Sequence, residues 1–193
     1  MRQPLLIALA LLLLASVACA ADFERESALP GDIAVAVALD SGEQSGRAKA
    51  TVRMHARREV VWSLITSCPE AMRMIPGLIA CNVLETAADR SWQRIRHVMN
   101  YSWYVPTVTY EIRASYQKPV HVAIERVSGD LRNLSGSWDL ESDGDFTIAR
   151  YTVDLAPGFW VPLWVVHAAL RRDLPKMLRS LRSRAEAVQA GQH

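Results

Sequence analysis

Between Leu78 and Leu155 the chain carries only strand and turn signals, and after Pro162 it is helical to its end. That order constrains the fold more than any motif does. Over Thr107–Tyr116 one side of the chain is apolar: Val108, Tyr110, Ile112, Ala114 and Tyr116. Over Phe146–Leu155 the matching side is Ala149, Tyr151, Val153 and Leu155. This period of two predicts strands with one buried face. Ile79–Ala87, Ser91–Trp103, Val120–Val127 and Leu134–Glu141 read the same way. The breaks between them are Ala88-Asp89, Pro106, Lys118-Pro119, Gly129-Asp130 and Asp143-Gly144-Asp145. Such short connections require antiparallel neighbours. A sheet of six to eight strands then needs a cover for one face. The long element left to provide it is the final helix, with Leu163, Val166, Leu170, Leu174 and Met177 opening an apolar stripe that runs on to Val188. Pro175 is expected to kink or divide that helix. A curved sheet wrapped around one helix tends to leave space between the two, so the expectation is an α+β fold with a cavity.

Upstream, Ile33–Leu39 and Arg47–His55 alternate on either side of a turn-rich Asp40–Gly46, which predicts a hairpin. Arg57–Thr66 changes to a helical period, and Ser67–Met74 reads as a second short helix stopped by Pro76-Gly77.

The N-terminus reads as a targeting segment. Met1-Arg2 is followed by an apolar run from Leu5 to Val17 and by Ala18-Cys19-Ala20. This is the pattern of a secretory signal peptide, residues 1–20, cut after Ala20. The run is short for a bilayer span. A lipid-modified Cys19 is the alternative, but Ser16 stands where such sites usually carry Leu. Removing 20 of 193 residues leaves 173, enough for one domain. It divides into an extension, 21–46, with one extra strand, and a main body, 47–190. The formal charge falls from +2 to +1 with the loss of Arg2, which excludes a bulk nucleic-acid binder. A periplasmic or secreted chain meets oxidising conditions, and the two remaining cysteines, Cys68 and Cys81, are expected to pair. His55, His97, His121 and His167 are scattered, so neither a metal site nor a cofactor is expected.

The sequence carries no Gly-x-Ser-x-Gly, His-Glu-x-x-His or paired-carboxylate motif. His97 could act as an acid or base if it faces a cavity. Glu111 and Arg113 fall on the polar side of their strand. Arg94 and Arg96 share a side with Trp92 and Val98; inside a cavity they could meet a lipid head group or carboxylate, but such residues are more often solvated. The aromatic set is more telling. Tyr101, Trp103, Tyr110, Trp138 and Tyr151, with Ile112, are expected to line the cavity from the sheet. Leu174, Met177, Leu178 and Leu181 are expected to face them from the helix. A phenol in such a place can hold one polar group of an otherwise apolar ligand. Trp160 and Trp164 flank the strand-to-helix junction and are expected to form a gate. Beside them Arg171, Arg172, Lys176 and Arg179 suit transient contact with an anionic membrane surface.

Three stretches carry a family resemblance: VVWSLITSCPEAMRMIPGLIACNVLE (60–85), GSWDLESDGDFTIARYTVDLAPGFWVP (136–162) and LPKMLRSLRSRAE (174–186). With Gly136, Trp138, Gly144, Thr147 and Tyr151 in their places, the chain resembles the START-related helix-grip superfamily. That superfamily also holds polyketide cyclases and coenzyme Q-binding proteins. The resemblance implies a curved antiparallel sheet of about seven strands gripping the C-terminal helix, with two short helices after the first strand region and an apolar ligand inside. The resemblance does not fix a function; the expectation is an exported protein that binds or carries a hydrophobic small molecule or lipid, without catalysis. The alternative is a cyclase- or hydrolase-like enzyme using the same cavity. The signal peptide and the 21–46 extension depart from the intracellular relatives.

Overall fold

The computed structural model of the protein describes residues 24–25, 33–101 and 106–191. The expected signal peptide lies outside these residues. Strands β1 (Glu24–Arg25), β2 (Ile33–Asp40) and β3 (Ser45–Met54) come first. Helices α1 (Arg58–Ile65) and α2 (Cys68–Met74) follow, then β4 (Leu78–Thr86), β5 (Trp92–Met99), β6 (Val108–Gln117) and β7 (His121–Gly129). The chain continues through β8 (Leu131–Asp143) and β9 (Phe146–Pro157) into α3 (Leu163–Ala168), a π-helical segment (Ala169–Asp173) and α4 (Leu174–Ala190).

All nine strands join one sheet in the order β1-β2-β3-β9-β8-β7-β6-β5-β4. Every pair is antiparallel. The expected seven strands are β3 to β9. The N-terminal segment adds β2 and the two-residue β1 at the edge beside β3.

Local chemistry fixes the helices that interrupt the sheet. Ser67 caps α2 by accepting a hydrogen bond from the Glu70 N–H at 3.4 Å, and a proline stands in its first turn. The helix stops where Ile75 turns extended and Gly77 takes φ 79°, a left-handed conformation that suits glycine. Arg184 of α4 pairs with Glu70 and ties α2 to the long helix. The buried Thr147 donates its hydroxyl proton to the Ala56 carbonyl at 2.7 Å, which fixes the start of β9 to the turn before α1.

The long helix lies along the concave face of the sheet. Against β3 the packing is close, because the inward residues there are small. Ala48 is 0% exposed and Ala50 3%. Gly46 allows the closest approach: a Cβ at that position would sit 2.4 Å from Leu170 Cδ1. Pro175 stands in the first turn of α4. The division expected from it takes the form of the π-helical turn just before it, where the hydrogen-bond step widens.

Candidate functional site

Away from β3 the sheet curves off the helix and leaves a cavity of about 270 Å³. Alternation decides which side chains reach it. From β5 these are Ile95, His97 and Met99; from β6 they are Val108, Tyr110, Ile112, Ala114 and Tyr116. β9 contributes Tyr151, Val153 and Leu155. The helix contributes Leu170, Leu174, Met177 and Leu181. The lining is predominantly apolar, and it also holds a small set of polar groups.

His97 is 8% exposed, and its Nδ1 lies 3.2 Å from the Tyr110 hydroxyl. Burial lowers the imidazole pKa to about 4, so the ring is neutral at pH 7. In the Nε2–H tautomer Tyr110 donates to Nδ1. The two rings meet edge to face, centroids 5.4 Å apart. Burial also pushes the Tyr110 and Tyr151 phenols far above their ordinary value. Tyr151 stacks on Trp138 with centroids 4.4 Å apart. Tyr116 is raised to about 12 by burial, and its hydroxyl donates to Gln93 Oε1 at 2.8 Å. Tyr101 stands at the rim, 38% exposed, yet its phenol is raised to about 12, by burial first and then by the charge of Asp173.

Asp173 belongs to the cavity wall and is 7% exposed. Arg172 reaches it with Nε at 2.9 Å and Nη2 at 3.3 Å, and Lys176 Nζ lies at 3.7 Å. Both cations are largely in solvent and neither lines the cavity. Cys68 and Cys81 form a disulfide with Cα atoms 5.3 Å apart, and it joins the start of α2 to β4 at the cavity wall.

Eight of the ten residues expected around a ligand line this cavity: Tyr101, Tyr110, Ile112, Trp138, Tyr151, Leu174, Met177 and Leu181. Trp103 lies outside the described residues. Leu178 is a correction. It is fully buried in the core but is not part of the cavity wall. At about 100° per residue, Leu174, Met177 and Leu181 point to one flank of the helical stripe and Leu178 to the other. Arg94 and Arg96 stand on the solvated side, outside the cavity wall, and pair with Glu111 at 3.6 and 2.8 Å. Arg113 lies over the Trp92 ring at 4.1 Å.

Trp160 is 74% exposed and Trp164 54%. Their neighbours Phe159, Val161 and Val165 line the cavity, so the tryptophans stand at its rim. The membrane-facing cations expected beside them are in part engaged elsewhere, because Arg172 and Lys176 neutralise Asp173. Asp173 itself was not among the residues singled out from sequence. The signal was present, since it falls three residues after Leu170 and four before Met177, inside the apolar stripe. Among the described residues no cluster of His, Cys, Asp and Glu could hold a metal. No helix among them is long and apolar enough to cross a membrane.

A curved antiparallel sheet closed on a C-terminal helix, with an apolar chamber between them, defines a helix-grip protein. The chain belongs to the family described as polyketide cyclase/dehydrase and lipid transport, whose model matches residues 54–182. Several solved structures share the fold. A STAR-related lipid transfer protein from Xanthomonas axonopodis superposes with a TM-score of 0.70 at 19% identity, covering 83% of this chain and 97% of its own. The human StarD13 lipid transfer and protein localization domain gives 0.65 at 14% identity, covering 82% and 87%. The Zhui aromatase/cyclase of a Streptomyces species gives 0.64 at 17% identity, covering 76% and 98%. No curated protein matches the chain in sequence. The family thus includes lipid-binding proteins and aromatase/cyclases, which fits a fold that hosts several functions.

Proposed function

We propose that the protein is an exported carrier that binds one hydrophobic small molecule, a lipid or lipid-like compound, between its sheet and its C-terminal helix. The observation that carries this reading is the cavity of about 270 Å³, close to the volumes typical of ligand sites, with its apolar wall and few polar groups. The leader-like segment and the Cys68–Cys81 bond support an oxidising destination. Trp160 and Trp164 serve as the rim that meets a membrane surface while the ligand passes.

Native mass spectrometry of protein recovered from its own host tests all three parts. The expected mass is that of the chain after Ala20, less two hydrogens for the disulfide, plus a bound apolar compound. An empty protein with free thiols and an intact leader overturns the reading. For the rim, the double change Trp160→Ala and Trp164→Ala should slow ligand transfer between vesicles about tenfold with little change in equilibrium affinity. Unchanged transfer removes the gate.

One observation favours a second reading. The buried His97–Tyr110 hydrogen bond inside the cavity is a neutral acid–base pair of the kind that could move a proton on a bound carbonyl compound. On that reading the recovered compound changes on incubation, and Tyr110→Phe stops the change. A carrier returns its ligand unaltered.

A further inference from the structure

We propose that the cavity selects neutral, hydroxyl-bearing amphiphiles and rejects carboxylate- and phosphate-headed ones, with Asp173 as the residue that sets this choice. The proposal rests on the carrier reading above and adds the chemical class of the ligand head. Its basis is how charge is distributed along the wall. Among the described residues no lysine or arginine lines the cavity, and Asp173 is the only carboxylate that does. Arg172 and Lys176 approach Asp173 from the solvent side and neutralise it there, so the wall offers acceptor oxygens without a free cation.

The remaining polar groups are alcohol-like. Among the described residues no protein group is hydrogen-bonded to the Tyr151 hydroxyl, and Tyr110 bonds only to His97. These phenols can each donate to, and accept from, a ligand hydroxyl. A carboxylate has lone pairs left after two guanidinium contacts, and it accepts a ligand O–H readily. An anionic head group in the same place would have to leave water and would meet carboxylate oxygens that already hold both nearby cations, with no cation on the wall to receive it. A cationic head group would compete with Arg172 and Lys176 for a carboxylate they already hold.

The test uses the mature protein loaded with Nile red, an uncharged fluorophore, and three displacers of one chain length at pH 7.4: 1-decanol, decanoate and decylamine. 1-Decanol is expected to displace the dye at a concentration at least tenfold lower than either ion. Asp173→Asn, which releases Arg172 and Lys176 from their carboxylate, should improve decanoate relative to 1-decanol at least fivefold. Tyr151→Phe, which removes one hydroxyl without altering the fold, should weaken 1-decanol about fivefold. Decanoate binding as tightly as 1-decanol overturns this inference and leaves the carrier reading standing. Decylamine binding most tightly overturns it in favour of direct pairing with Asp173. Failure of Nile red to bind at all sinks the carrier reading, and this inference with it.

Discussion

The two halves of the concave face are built from one sheet and one helix, yet one is solid and the other hollow. Beside β3 the inward residues are Ala48, Ala50, Val52 and Met54, all nearly or fully inaccessible, and the helix rests on them directly. Beside β5 and β6 the inward residues are larger, including His97, Tyr110 and Ile112, yet they surround empty space. Larger side chains therefore do not mean a fuller core here. Small residues let the helix settle close to β3, and sheet curvature carries β5 and β6 away from it faster than their side chains can fill the gap. The solid half holds the helix, and the hollow half is free to hold something else.

The comparison can be broken most sharply on a single helix. Leu178 is fully buried on the solid side, and Leu174 lines the cavity. Leu178→Ala should cost roughly 3–5 kcal/mol, the upper part of the range for buried leucines, whereas Leu174→Ala should cost about 2 kcal/mol because its neighbours on one side are already missing. Urea titration of the two variants checks this, and equal losses would mean the halves are packed alike.

Acid provides the next largest effect. The unfolded chain takes up a proton at His97 near pH 6.5, and the folded protein refuses it until about 4. The stability contributed by the neutral ring is therefore complete above pH 6.5. It drains as pH falls from 6.5 toward 4 and levels off below that. The loss at pH 4 is on the order of 3 kcal/mol. Because surface carboxylates also titrate, the measurement is the difference between wild type and His97→Phe. A parallel pair of stability–pH curves would mean that water, and not apolar wall, surrounds the ring.

Enlarging a small residue should have the least effect on stability and should separate the halves by binding. Ala50→Leu adds volume where none is free and should cost roughly 1–3 kcal/mol. Ala169→Phe projects into the cavity, so its cost should stay below about 1 kcal/mol while Nile red binding falls at least tenfold. Binding that survives Ala169→Phe would place the ligand elsewhere.

Much of this was legible in the chain itself. Alternation sorted the inward from the outward residues of β6 and β9, because a half-buried strand presents its side chains with a period of two, but it did not tell that Ala149 meets packed core while Tyr151, Val153 and Leu155 meet the cavity. The helix stripe was harder. It mixes residues that touch the sheet with residues that touch the cavity, and sequence period alone gave Leu178 and Leu181 the same role. His97 shares the apolar face of β5 with Ile95 and Met99, but a lone polar residue in such a row does not announce whether it meets core or cavity. Arg94 and Arg96 share their side of β5 with Trp92, whose ring lies under Arg113 on the outer face, so an apolar neighbour alone does not mark a strand side as inward. Asp173 was hidden among basic residues that read as a solvated helix face.

The π-helical turn at Ala169–Asp173 has a bearing on how far the chain tolerates deletion. A turn closed by i→i+5 bonds stores one residue more than the α-helix on either side of it. Removing a single residue from 169–173 would therefore let an unbroken α-helix form with both flanks close to their present phase. Removing one from the regular turns of α4 just after it would instead swing everything before the deletion by about 100° relative to the rest of the helix, carrying Trp164 off the rim and Val166 off its seat near Gly46.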